Sequence, residues 1–117
     1  MSKYTSVYQK FLNLANAVED LTKFPQLTPD EKCLLRHLND YWIHEKDITV
    51  VTAMNVVSTM STSTVFRYLK KMRQKGYIAL EIDKIDNRVK YIRPTEQTLS
   101  YFAEQGKILL KTAKAYN

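Results

Sequence analysis

Between residues 61 and 94 the spacing of apolar side chains changes period, and this restricts the fold more than any other feature of the chain. Ser61 or Thr62 can cap a helix that carries Val65, Leu69 and Met72 on one side. A last turn rich in Lys and Arg, followed by Gly76, gives that helix its stop. From Tyr77 the period drops to two. Ile78, Leu80 and Ile82 alternate with Ala79 and Glu81 in a strand over 77–83, and a second strand spans 88–93. Lys84-Ile85-Asp86-Asn87 forms the hairpin tip, with Asp-Asn as its turn-prone pair, and Pro94 ends the second strand.

The flanking segments read as helices. Tyr4, Val7, Tyr8, Phe11, Leu14, Ala15, Val18 and Leu21 recur every three or four residues, which predicts a helix over 4–23, broken by Pro25. Leu12 and Ala17 widen its apolar stripe beyond what one small core needs. Thr28-Pro29-Asp30-Glu31 has the form of a capping box with proline in the first turn. The helix it opens should bury Leu34, Leu35, Leu38, Tyr41 and Trp42 and run to about His44. Residues 48–57 are rich in β-branched side chains, which favour a strand, but a short helix there would lead straight into the turn before Ser61. The reading adopted is helix. Thr95 caps a last helix bearing Leu99, Phe102, Ala103, Leu109, Leu110 and Ala113.

The order is therefore four helices, a hairpin and a helix, in one domain spanning 1–117. Two helices joined by a tight turn over 48–76, followed by a hairpin wing over 77–93, make a winged helix-turn-helix. The fold class is mainly α (α+β). The 117 residues carry no apolar run approaching the roughly 20 needed to cross a bilayer, so no membrane partner is expected. The start, Met1-Ser2-Lys3-Tyr4-Thr5, has no apolar leader, and the single cysteine, Cys33, cannot form an internal disulfide. Both point to a cytoplasmic protein.

Charge is unevenly placed. The net +6 of the chain falls within 61–93, where Arg67, Lys70, Lys71, Arg73, Lys75, Lys84, Arg88, Lys90 and Arg93 face only Glu81, Asp83 and Asp86. Such clustering is the footprint of a phosphate-binding surface, although a solvated basic face is the plainer explanation of charge by itself. Position favours the first. If Val65, Leu69 and Met72 are buried, then Ser63, Arg67, Lys70 and Gln74 point outward at 100° per residue, with Thr64 and Lys71 flanking. The second helix of such a pair is the one that enters the major groove of DNA. Arg67 can donate two hydrogen bonds to guanine, while Ser63 and Thr64 are short enough to permit close approach. Ser61 and Thr62 place hydroxyls and free amides at the helix start, suited to a phosphate. Lys70 and Lys71 act as point charges. Tyr68, at the edge of the helix, serves either packing or stacking. Lys84, Arg88 and Lys90 complete the set on the wing.

These residues carry a resemblance. The run from Ser61 to Ile78 resembles the recognition helix of the MarR family of bacterial regulators, with a capping Ser, small hydroxyl residues, an apolar–Arg step, then Gly and an apolar strand. Asp83-Lys-Ile-Asp86-Asn-Arg88 is similar to the family's Asp-x-x-Asp-x-Arg wing, and the likeness extends over about 28–105. It implies a homodimeric transcriptional regulator of double-stranded DNA, with Arg67 reading bases and Arg88 at the wing tip, held by Asp86 or Asp83. A small-molecule effector is a further implication, although no residue points to a particular one. The chain departs from the family in three places. The turn Ser58-Thr59-Met60 has no glycine, Ile85 puts an apolar side chain at the wing tip, and one C-terminal helix stands where typical members have two. The expected dimer surface is accordingly small and built from 4–23 and 95–116.

Other chemistry finds little support. Cys33, His37, Asp40 and His44 lie along one side of a helix, but Cys33 and His44 would be about 16 Å apart along its axis. Surface placement explains them better than a metal site or a thiol switch. Most of the eight tyrosines, including Tyr4, Tyr8, Tyr41, Tyr77 and Tyr91, fit packing positions or strands rather than base stacking. With glycine only at 76 and 106 there is no phosphate-cradling loop, and no nucleophile has an evident base, so no enzyme, cofactor or metal is expected. The alternatives are a winged helix used as a protein-interaction adaptor, or a plasmid or phage replication or partition factor.

Overall fold

A computed structural model describes residues 2–116. The order is α1 (Lys3–Glu19), α2 (Pro29–Ile43), α3 (Val50–Ala53), α4 (Thr62–Gln74), β1 (Ile78–Ile82), β2 (Lys90–Pro94) and α5 (Glu96–Ala115). Two compact units form, one from the terminal helices with the residues up to Gln26, the other from Leu27–Thr95.

The Leu27–Thr95 unit is a winged helix. Helix α2, the first of this unit, starts as the capping box requires. The Thr28 hydroxyl accepts from the Glu31 amide, and the Glu31 carboxylate accepts from the Thr28 amide at 2.8 Å. Leu34, Leu35 and Leu38 are buried beneath it with Ile48, Ala53, Val57, Val65, Leu69 and Met72. Tyr41 and Trp42 are only half-buried, short of the burial their spacing predicts, and the Trp42 indole N–H donates to the Ile92 carbonyl at 3.0 Å.

Residues 48–57 divide between both expectations. Only Val50–Ala53 is α-helical, capped by Thr49. Before it the chain is strand-like: the Ile48 carbonyl accepts from the Ile92 amide at 2.8 Å, and Thr49 bridges Tyr91. The β-branched residues at its start thus satisfy the edge of β2, and the helix is shorter than the 48–57 expected from its context.

Helix α4 ends in a Schellman motif. The Tyr77 amide donates to the Met72 carbonyl and the Gly76 amide to that of Arg73, with Gly76 at φ 85°. Tyr77 and Met72 are both buried, which adds the usual apolar contact of this motif. The chain therefore leaves α4 in the direction of β1. Strands β1 and β2 pair antiparallel, Leu80 opposite Ile92 and Ile82 opposite Lys90. The Thr95 hydroxyl donates to the Gly76 carbonyl at 2.6 Å and closes the base of the wing.

In the other unit α1 stops at Glu19, four residues before its expected end, and residues 20–24 form turns closed on the Asn16, Val18 and Leu21 carbonyls. Phe24 packs edge-on to Tyr101 with ring centres 5.5 Å apart, and the Tyr101 hydroxyl donates to Glu19 at 2.9 Å. The apolar stripe of α1 is mixed: Val7, Phe11, Leu14 and Ala15 are half-buried. Val18 is its one buried residue, while Tyr4 and Tyr8 are 75% and 62% exposed, which corrects the packing role expected for both tyrosines.

Candidate nucleic-acid interface

Helix α4 presents its faces as its spacing dictates. Val65, Leu69 and Met72 are buried, whereas Ser61, Thr62, Ser63, Arg67, Lys70, Lys71 and Gln74 are exposed. Ser61, rather than Thr62, is the cap. Its hydroxyl accepts from the Thr64 amide at 3.2 Å and lies 2.8 Å from the Thr64 hydroxyl. Thr64 is therefore half-buried and engaged in the cap, leaving Ser63 as the more open hydroxyl. Tyr68 faces α2, where its hydroxyl donates to Asp30 at 3.0 Å. The Arg67 guanidinium lies 5.6 Å from the Tyr68 ring, a cation–π contact that leaves its donors outward.

The helix-turn-helix turn needs no glycine. Among the described residues only Glu45 and Gly76 have positive φ, so Ser58-Thr59-Met60 turns within the ordinary region of backbone space. The Met60 amide closes this turn on the Val57 carbonyl at 3.1 Å.

The far end of α4 is fixed by an ion pair. Lys75 donates to the buried Glu31 carboxylate at 2.7 Å. Burial would push the Glu31 carboxyl up, but Lys75 and the Thr28 amide and hydroxyl together hold it below its ordinary value. The carboxylate that caps α2 thus also ties down the C-terminus of α4. Nothing in the spacing of residues 31 and 75 announces this partnership.

At the wing tip the two aspartates take separate tasks. One oxygen of Asp83 accepts from the Ile85 and Asp86 amides at 3.0 and 2.9 Å, and the other accepts from the Tyr91 hydroxyl at 2.8 Å. Asp86 holds Arg88 through two hydrogen bonds, 3.0 Å to Nε and 3.1 Å to Nη2, and also accepts from the Arg88 amide. Of the two candidates for holding Arg88, Asp86 is the one in place. Amide and hydroxyl donors depress the Asp83 carboxyl, and the Arg88 guanidinium depresses that of Asp86. Arg88 remains mostly exposed despite its partner. Lys84 and Lys90 stand exposed on either side.

The cations of 61–93 therefore fall into two groups. Lys75, Arg88 and Arg93 are ion-paired, Arg93 to both Asp47 and Glu81. Arg67, Lys70, Lys71, Arg73, Lys84 and Lys90 form no ion pair among the described residues. Arg73 joins Lys70 and Lys90 at the rim of an apolar groove floored by Phe66, Leu69, Leu80 and Ile92. The wheel position of Arg73 gave no reason to place it with the outward set, and the groove that draws it there depends on the sheet.

The remaining candidates stay local. Cys33 Sγ lies 4.0 Å from His37 Nδ1, which is 2.9 Å from the Cys33 carbonyl oxygen, and His44 turns to the Asp40 carbonyl oxygen at 2.7 Å. Among the described residues no group of three or more His, Cys, Asp or Glu side chains is arranged to hold a metal ion. No helix among them is long and apolar enough to cross a membrane.

No protein-family model and no curated protein matches this sequence. Solved structures do. The chain is similar to the heme sensor protein PefR from Streptococcus agalactiae in complex with heme, with a TM-score of 0.61 and 23% identity over 97% of this chain and 73% of that one. A mutant of MepR from S. aureus gives a TM-score of 0.62 at 18% identity, over 97% and 78% of the two chains. BpsR of Bordetella bronchiseptica, whose DNA binding is regulated by 6-hydroxynicotinic acid, gives 0.55 at 14% identity, over 96% and 74%. At such identities the likeness is one of fold, and the fold is a winged helix, as the recognition-helix and wing residues implied.

Proposed function

We propose that this chain is a sequence-specific, double-stranded DNA-binding transcriptional regulator that acts as a homodimer and catalyses no reaction. One observation carries the reading: among the described residues of 61–93, the cations that form no ion pair lie on α4 and on the wing, the two elements with which a winged helix meets a duplex. Arg67 and Ser63 read base edges, and Thr64 contributes from the cap. Ser61 and Thr62 present the start of α4 to a phosphate, while Lys70, Lys71, Lys84 and Lys90 contact the backbone. Tyr68 braces α4 against α2, and Arg88 anchors the wing. A protein that shares the fold, BpsR, binds DNA, which supports the same use of the surface here.

The dimer reading rests on α5. Leu99, Phe102, Ala103, Gly106, Leu109, Leu110 and Ala113 recur at three- and four-residue spacing. All but the half-buried Phe102 are exposed, whereas the residues α5 buries are Thr98, Tyr101 and Thr112. An exposed apolar seam of this length suits a second copy of the helix pair.

Fluorescence anisotropy with a labelled random-sequence duplex, across about 50–200 mM salt, tests the proposal. Affinity should fall steeply, with a log–log slope of about 0.9 for each phosphate contacted. Absence of binding at the lowest salt would overturn it and leave the basic face to a protein partner.

A further inference from the structure

The apolar floor of the groove between α4 and the wing has no part in the proposed DNA contacts. Phe66, Leu69, Leu80 and Ile92 form this floor, and every residue that lines the groove belongs to the Leu27–Thr95 unit. Apolar exposure continues beyond it. Phe66 is 46% exposed, and Ile82, two residues past Leu80 and so on the same face of β1, is 57% exposed. The rim is basic: Lys70, Arg73 and Lys90 stand there and form no ion pair among the described residues. No carboxylate lines the groove. The acids of the hairpin are engaged elsewhere. Glu81 alternates to the other face of β1, where Arg93 donates to it at 3.2 Å. Asp83 accepts from the Ile85 and Asp86 amides and the Tyr91 hydroxyl, and Asp86 holds Arg88. Beside the groove, Lys70, Arg73 and Gln74 line a second hollow of about 250 Å³.

We propose that this groove docks an acidic segment of a partner protein and that docking displaces DNA. One large apolar side chain of the segment enters the groove, while carboxylates on either side of it meet Lys70, Arg73 and Lys90. Size and charge argue for this occupant. The groove holds about 190 Å³, below the roughly 300–1,000 Å³ of pockets that enclose a drug-sized ligand, but it admits a single anchoring side chain. A phosphate backbone would satisfy the rim and offer no apolar side chain to the floor. Three cations with no carboxylate among them disfavour a basic segment and attract an acidic one. Lys70 and Lys90 are also proposed phosphate contacts, so segment and duplex exclude each other. Docking stands independently of the DNA-binding reading, and only the displacement rests on it.

The test selects peptides from a random display library on the full chain. Enriched sequences should share one large apolar residue with Asp or Glu on both sides. Synthetic peptides of those sequences should bind less tightly as salt rises. Their affinity should fall about tenfold on Phe66→Ala, the loss expected from one large apolar contact, and Phe66→Leu should restore most of it. Because Phe66 is uncharged and nearly half exposed, Phe66→Ala should keep the melting temperature and the duplex affinity of the wild type. Added to a complex with labelled duplex, the peptides should release the DNA. Failure to enrich an acidic–apolar sequence, or equal binding of the peptides to Phe66→Ala and wild type, would overturn the docking. Benzoate binding the groove as tightly as the peptides would overturn it too, in favour of a small acid. Peptides that bind and leave the duplex in place would overturn the displacement alone. A chain that binds these peptides and no duplex would sink the DNA-binding reading and leave the docking standing.

Discussion

Arg67 and Arg88 carry the same charge but differ in freedom, and the difference sets what each can contribute. Among the described residues Arg67 contacts the Tyr68 ring and forms no ion pair, so its donors can turn toward a base edge. Replacing it with alanine should cost about 1–3 kcal/mol at one base position and relax preference there. Lys71, exposed with no ion pair among the described residues, can only add charge. For Lys71→Ala, binding to specific and random duplexes should weaken alike, with the salt slope lower by about one. Anisotropy titrations of both variants on both duplexes check the pair, and an equal loss on the two duplexes for Arg67→Ala would remove it from base reading. Arg88 is already oriented by Asp86, so its order should depend on pH. Asp83 and Asp86 are both depressed below the ordinary carboxylate value in the folded chain. Their contribution is therefore complete above that value, and it is lost as pH falls through the depressed one. The amide resonances of Ile85, Asp86 and Arg88 should stay constant down to about pH 4 and titrate only below it. Titration at the ordinary carboxylate pH would show that the two aspartates do not hold the tip.

At the scale of single elements, two helices end in the same way with different residues. Helix α2 closes with the Lys46 amide on the Tyr41 carbonyl and the Glu45 amide on that of Trp42, the pattern α4 makes through Gly76. Glu45 adopts φ 55° to do so, a conformation unfavourable to any residue with a Cβ. Glu45→Gly should therefore raise stability by up to about 1 kcal/mol, and Gly76→Ala should lower it by at least as much. Thermal or urea unfolding of the two variants decides it, and equal effects would mean the left-handed turn carries no strain. The elements also show what sequence reading reaches. The capping box at Thr28 and Glu31, the buried face of α4 and the stop at Gly76 were all legible, because each depends on residues within one turn. The length of α3 was not, since Ile48 and Thr49 pair with Tyr91 and Ile92, more than forty residues away. The ion pair of Glu31 with Lys75 escaped for the same reason. Spacing places a side chain on a face of its own helix, but it does not say which other element that face will meet.

For the whole molecule, the terminal helices pose the question that the core cannot answer. Among the described residues their unit buries few apolar side chains, Val18, Phe24 and Tyr101, and adds the buried threonines Thr98 and Thr112. Meanwhile Leu99, Leu109 and Leu110 remain exposed along α5. Apolar periodicity alone had marked these leucines as a helix face, and it could not distinguish a face buried within the chain from one left for a partner. Gly106 separates the two cases. It sits in mid-helix on the same seam, and a Cβ added there meets nothing within 4 Å. In a chain that stays monomeric, Gly106→Ala should simply stabilise α5, by about 0.5–1 kcal/mol. If α5 pairs closely with α5 of a second copy, the added methyl group should instead loosen the dimer. Leu110→Glu should disrupt it outright by placing a charge in the seam, while the Leu27–Thr95 unit keeps its fold. Analytical ultracentrifugation of the wild type and both variants, at concentrations spanning the association, reads all of this. A wild type that sediments as a monomer throughout, with Gly106→Ala merely more stable, would refute the homodimer. A dimer weakened by both substitutions would place the seam at its interface and the two recognition helices in one assembly.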